Sequence, residues 1–168
     1  HPNVEIESVA DPSTLLLTMM KKYLPIKTFK DYNELFDQTN PDAILVCTPP
    51  ALHYPIVKKA AELGIHAFVE KPFTTKFKEA LELAALYTRN GLTGQVGYVN
   101  RFNDVFIRVK RLLEQKIIGR VVSYRSEMFV PTVIKKNEET GWRALRENGG
   151  GAIFEIASHL IDLTNYFF

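Results

Sequence analysis

The run Asp42-Ala43-Ile44-Leu45-Val46-Cys47 constrains this chain more than any other segment. It is apolar after its first residue, too short for a helix, and stopped by Thr48-Pro49-Pro50. A short apolar run between breakers suits a strand buried on both faces of a parallel sheet. Its surroundings agree. Residues 52–63 read as a helix closed by Gly64, and Ala67-Phe68-Val69 as a second strand ending at Glu70-Lys71-Pro72. A helix capped by Thr74 or Thr75 then runs through Thr88, with Gly91 after it, and residues 93–97 make a last short strand. Upstream, residues 4–10 (V-E-I-E-S-V-A) read as a strand. Asp11-Pro12-Ser13 opens a helix over residues 15–23, with Asp11 as N-cap and Pro12 at the first helical position. Residues 26–29 are extended, and 31–39 form a short helix that turns Leu35 and Phe36 inward.

Strands and helices alternating over short loops predict an α/β fold: a Rossmann-like parallel sheet with helices on both faces. Ligands of such sheets sit beyond the carboxyl ends of the strands. Asp11, Thr48-Pro49 and Glu70-Lys71 all fall at such ends. After Gly97 the pattern changes. Residues 105–115 read as a helix stopped by Gly119, and 121–130 alternate as a strand. Residues 131–148 are polar and loop-like, and Gly149-Gly150-Gly151 starts an apolar helix to the end. A lone long strand needs partners, so further strands are expected beyond Phe168.

The 168 residues suffice for one globular domain, or one and part of another. With 46% hydrophobic residues the chain can bury a core without staples. Lys+Arg 21 against Asp+Glu 19 leaves a net charge of +2, interspersed, so nucleic acid is not an expected partner. The single cysteine, Cys47, forms no internal disulfide and reads as a small core residue. No apolar run approaches the roughly 18 residues that span a bilayer, so no membrane partner is expected. No signal peptide is visible, and the expected compartment is the cytoplasm.

Two places carry candidate chemistry. Lys71 stands between an acid and a proline at a strand end, which aims it into the crevice; the plain alternative is a surface lysine in a turn. In the last helix Glu155, His159 and Asp162 fall at i, i+4 and i+7, on one face, and Tyr166 continues the stripe. An imidazole flanked by carboxylates is a general acid/base with an orienting partner, a metal site, or a satisfied buried cluster. No second His or Cys lies near it in sequence, and no metal is assigned. Asp11 can accept from a ribose diol or cap its helix. His53 sits at a helix start, at a cofactor edge or partly exposed, and His66 reads as structural. Arg101, Trp142 and Arg143 are candidates for anion binding or stacking. No G-x-G-x-x-G phosphate loop is present.

Together these segments resemble a known family. The stretch from Asp42 to Pro50, then His53, Ala60, Gly64, His66 and Glu70-Lys71-Pro72, resembles the glucose-fructose oxidoreductase/inositol dehydrogenase/MocA (Gfo/Idh/MocA) family. The segment from Val96 to Phe102, Gly141-Trp142-Arg143, and Gly149-Gly150-Gly151 with His159 and Asp162 resemble its later segments. The resemblance implies an NAD(P)-dependent oxidoreductase acting on a hydroxyl or keto carbon of a sugar, nucleotide-sugar or cyclitol. It divides the chain into a nucleotide-binding part, 1–97, and the start of an α+β substrate and oligomerisation part, 98–168. It places the family's opening strand and phosphate loop upstream of His1, and implies a homo-oligomer. Lys71 and His159 become the catalytic pair, with Glu155 beside them and Asp162 at the substrate. Asp11, Thr48, Pro49, His53, Glu70, Lys71, Arg101, Trp142 and Arg143 become cofactor contacts. Glu155 stands where the family usually has Asp, which moves the carboxylate by roughly 1 Å, enough to cost about 100-fold in rate when it misplaces a catalytic group.

Intrinsic basicity favours His159 as proton acceptor: a free His titrates near about 6.5 and a free Lys near about 10.4. Lys71 then stabilises the alkoxide as a cation, or is itself the base if burial and a nicotinamide charge lower its pKa, with Glu70 opposing that shift. An acid at position 11 favours NAD over NADP, since it would repel a 2′-phosphate. A non-catalytic, dinucleotide-binding regulator of the same fold is the alternative; it would not need Lys71 and His159 together.

Overall fold

A computed structural model of the protein describes residues 3–129 and 150–168. Among the described residues five short strands and six α-helices follow in order: β1 (Ser8–Ala10), α1 (Thr14–Tyr23), β2 (Lys27–Phe29), α2 (Tyr32–Gln38), β3 (Ala43–Val46), α3 (His53–Glu62), β4 (His66–Val69), α4 (Phe77–Arg89), β5 (Gly94–Val96), α5 (Asp104–Glu114) and α6 (Ser158–Phe167). Every strand pairing is parallel. β1 and β2 form one sheet, and β3, β4 and β5 a second with β4 in the centre. In the larger sheet Val46 stands opposite Val69, and Val69 opposite Val96. The carboxyl ends of β3 and β4 therefore share one edge, which puts Thr48 beside Glu70-Lys71. The fold is α/β, with the parallel pairing that the alternating pattern predicts.

The core forms where α3 and α4 pack on the larger sheet. Val46 and Val69 from the strands meet Val57, Ala60 and Ala61 of α3 and Leu83 of α4, each 3% exposed or less. Phe36 of α2 joins this cluster, and Leu35 packs against it, both inward as expected. Helix α3 ends as its sequence demands. Gly64 takes φ +78°, and the N–H groups of Gly64 and Ile65 return to the carbonyls of Ala61 and Ala60. A residue with a Cβ would be strained in that left-handed conformation, so the glycine directs the chain into β4.

Several local expectations are corrected. Ser13, not Asp11, is the N-cap of α1: its side chain accepts from the N–H of Leu16, while Asp11 Oδ1 accepts from the N–H of Ser13 at 2.7 Å. Pro12 accordingly precedes the helix. Neither Thr74 nor Thr75 caps α4; the cap residue is Lys76, and Thr74 Oγ1 donates to its carbonyl at 2.8 Å. Strand β3 is buried on one face only. Ile44 and Val46 turn into the core, while Leu45 is 75% exposed and Cys47 is exposed rather than a core residue. A run of uniformly apolar residues cannot show which face is covered. The strand read over residues 4–10 is ordered only as Ser8–Ala10. Among the described residues, 121–129 form no strand and pair with none, and a lone extended segment does not stand as one. The loop-like stretch 131–148 and Gly149 lie outside the described residues.

Candidate active site

The Glu70-Lys71-Pro72 segment leaves β4 at the sheet's carboxyl edge and meets the last helix. Lys71 Nζ donates to the backbone carbonyl of Glu155 at 2.9 Å and lies 3.8 Å from Glu155 Oε2. The Lys71 side chain is only 16% exposed, so this contact is made largely out of water. Glu70 turns elsewhere. One of its oxygens accepts from the backbone N–H of Lys71 at 3.3 Å. The same carboxylate lies over Gly97, where a Cβ would stand 3.2 Å from both oxygens and from the Phe68 ring. Gly97 thus leaves the space that Glu70 fills.

The last helix is not one continuous α-helix from Gly149. Residues Ile153–Ala157 form a π-helical turn, and α6 follows directly. The wider turn changes the helical phase between Glu155 and His159, so spacing alone overstates how closely Glu155 and the other two share a face. Such π turns occur often at functional sites. Here the turn presents the Glu155 carbonyl to Lys71, a role for the main chain that no side-chain motif announces.

His159 is held differently from a satisfied core histidine. Its Nδ1 is buried and has no hydrogen-bond partner among the described residues. The Tyr98 ring meets its imidazole edge-on, with centroids 6.2 Å apart and planes at 86°. Burial pushes the His159 pKa below its ordinary value, and the Lys71 charge pushes it further down. Asp162, Glu70 and Glu155 oppose this without reversing it. Burial and the Lys71 charge thus both favour the neutral imidazole. Tyr98 was not singled out by sequence reasoning, although it lies in the segment that carries Arg101. Burial raises the Tyr98 phenol, and the charge of Asp162 adds to that.

Arg101 and Asp162 find each other. Arg101 Nε lies 3.0 and 2.9 Å from the two Asp162 oxygens, and Nη2 lies 2.6 Å from Oδ1. The carboxylate is 7% exposed and the arginine 43%. Both charges are thereby spent on joining the 3₁₀ turn Val99–Phe102 to α6, and the guanidinium also lies 5.6 Å from the centroid of the Tyr166 ring. His53 is fully buried, with Nδ1 2.9 Å from the Pro72 carbonyl and Nε2 2.9 Å from the Thr48 carbonyl. His66 Nδ1 accepts from the N–H of Thr93, a structural role as expected. Thr48 and Pro49 are half-buried beyond β3, and Thr48 Oγ1 is buried without a partner among the described residues. Asp11 follows β1 directly. Trp142 and Arg143 lie outside the described residues. Among the described residues no three His, Cys, Asp or Glu side chains assemble as a metal site. No helix among them is long and apolar enough to cross a membrane.

Residues 1–98 match the model of an oxidoreductase family with an NAD-binding Rossmann fold, and residues 106–168 match the Gfo/Idh/MocA C-terminal domain. The chain belongs to the Gfo/Idh/MocA oxidoreductase family. An uncharacterized oxidoreductase of Schizosaccharomyces pombe is 31% identical over 137 residues, covering 82% of this chain and 36% of that protein. The scyllo-inositol 2-dehydrogenase (NAD(+)) of Bacillus subtilis is 25% identical over 166 residues, covering 98% of this chain and 46% of its own. The chain thus spans less than half the length of these Gfo/Idh/MocA relatives. In the crystal structure of a putative dehydrogenase from Bordetella bronchiseptica the fold recurs with a TM-score of 0.86 at 24% identity, over 99% of this chain and 43% of that one.

Proposed function

We propose that this chain is the portion of an NAD-dependent oxidoreductase that brings the cofactor crevice and the proton-handling residues together. The substrate is a sugar, nucleotide-sugar or cyclitol, oxidised at a hydroxyl carbon or reduced at the corresponding ketone. The observation that carries this reading is the meeting of Lys71 with the Glu155 turn, one turn of chain ahead of a neutral, incompletely bonded His159. The scyllo-inositol 2-dehydrogenase among the relatives supports the substrate class. The two matched spans support a division near residue 97 into a nucleotide-binding part and a substrate part.

The residues fit a dinucleotide. A buried hydroxyl on Thr48 and a buried nitrogen on His159 both lack partners among the described residues, at the carboxyl edge where such folds bind ligands. Asp11 and Thr48-Pro49 would hold the cofactor, with Glu70 behind Lys71. The carboxylate of Asp11 favours a ribose 2′-hydroxyl over a 2′-phosphate, hence NAD. When bound, the nicotinamide supplies or accepts the hydride. The protein handles the proton. His159, neutral for the reasons given above, takes the proton of the substrate hydroxyl. Lys71 donates a hydrogen bond to the same oxygen and stabilises negative charge that develops there. Glu155 orients Lys71 through its carbonyl, so the difference between Glu and Asp at this position matters less than side-chain alignment suggests.

Two measurements test this. Absorbance at 340 nm follows the full-length protein with NAD and a panel of inositols, aldoses and nucleotide-sugars; turnover of at least one is expected, and none across the panel would contradict the reading. An NMR titration of the His159 ring gives the sign of the electrostatics. His159 should titrate below 6.5, its ordinary value. Lys71→Met removes one of the two causes that lower it, so the midpoint should rise. The acidic limb of kcat/KM should move the same way, because only the neutral ring accepts a proton. A midpoint that falls or stays in place would show that the two groups do not share a site.

A further inference from the structure

His53 lies outside the proton-handling group, yet its environment is unusual. The ring is fully buried at the start of α3, and each of its nitrogens faces a backbone carbonyl at 2.9 Å. One carbonyl belongs to Thr48, in the loop that leaves β3. The other belongs to Pro72, the residue after Lys71. Parallel pairing places these two loops side by side, but the last backbone bond of the ladder there is Glu70 N–H to Val46 carbonyl. Beyond that bond, the imidazole is what spans them. Both carbonyls accept, so a neutral ring donates its one N–H to either of them and packs its other nitrogen against the second; the tautomer that donates to Pro72 ties the start of α3 to the Lys71 segment.

From this we infer that His53 is a positioning residue: it ties the Thr48 loop to the Lys71 segment and thereby sets where the Lys71 ammonium sits. The inference rests on the reading of Lys71 as part of the active site, and extends it to a residue that touches neither reactant. Three features support it. The carbonyl that the ring meets belongs to Pro72, the residue after Lys71, so a shift of that carbonyl moves the Lys71 backbone with it. Lys71 must reach 84 residues along the sequence to a single carbonyl, a contact that a small displacement breaks. Finally, the ring is fully buried, so removing the imidazole leaves its carbonyl partner without a donor in a site closed to solvent.

The test uses the full-length protein with His53→Phe, which keeps most of the volume and removes both ring nitrogens, and His53→Gln, which retains one amide donor. At saturating cofactor and substrate, His53→Phe should lower kcat about 10- to 100-fold, the range for a displacement of about 1 Å at a catalytic group. NADH affinity should weaken by a smaller factor than kcat falls, because the Thr48 loop that His53 meets also borders the proposed cofactor site. His53→Gln should recover part of the loss. A lysine 13Cε NMR signal, assigned to Lys71 by its absence in Lys71→Ala, should shift in His53→Phe and return toward its native position in His53→Gln. This last readout does not depend on turnover, so it separates failure of the positioning role from failure of the proposed activity. An unmoved Lys71 signal in a folded His53→Phe protein overturns the inference. So does a selective loss of NADH affinity with kcat intact, which would return His53 to the cofactor edge. If neither variant folds, the native protein still decides. The His53 ring must show a slowly exchanging N–H proton, and a rapidly exchanging one contradicts the bridge.

Discussion

Lys71→Ala in the full-length protein lowers kcat by at least about 100-fold, the lower end of what removing one donor to a developing oxyanion costs. Two effects combine in this loss. The substrate oxygen loses a charged hydrogen-bond donor in a largely desolvated site, where such donors matter most. The His159 ring also loses the neighbouring positive charge that helps to hold it neutral, so a larger fraction is protonated and unable to accept at a given pH. The second effect is partly recovered by raising the pH and the first is not, so the mutant's residual rate should climb with pH where the native rate is already flat. Lys71→Arg keeps the charge but replaces a point donor with a planar fork, and should recover little. Near-normal turnover in Lys71→Ala would remove Lys71 from the mechanism altogether.

The largest structural effect is expected at Arg101. Arg101→Met leaves the Asp162 carboxylate buried without its partner. Breaking a buried pair from one side costs about 3–5 kcal/mol. The arginine is partly exposed, so its share of the pair is screened and a loss of about 2–4 kcal/mol is expected, read as a lower urea midpoint. The double variant Arg101→Met/Asp162→Leu should be more stable than Arg101→Met alone, because no uncompensated charge remains. If the single variant is as stable as the native protein, the pair is not what joins the Val99–Phe102 turn to α6. If instead stability holds while NADH affinity collapses, Arg101 belongs to the cofactor site and not to this junction.

The sequence was most legible where local rules and tertiary packing agree. The order of strands and helices through Val96 follows from periodicity and from breakers such as Gly64, whose left-handed conformation could be anticipated from its position alone. Caps were less legible, because Asp11 and Ser13 are both good capping residues and only the backbone path decides between them. The exposed face of β3 was hidden because Leu45 reads like its buried neighbours. Lys71 and His159 were visible as residues, but not as an arrangement. Lys71 meets a carbonyl oxygen, which every residue carries and no motif records. The π turn at Ile153–Ala157 has no sequence signal that separates it from an α-helix of the same residues. Arg101 and Asp162 stand 61 residues apart, and nothing in the sequence shows that they pair with each other.

The most direct test of the central claim is an isothermal calorimetric titration of the full-length protein with NADH and, separately, NADPH. Saturable binding of one equivalent per chain, with NADH the tighter of the two and the preference reduced in Asp11→Ser, is the result this account predicts. Absence of binding by either nucleotide to a folded protein would contradict it, and the arrangement around Lys71 and His159 would then need another explanation.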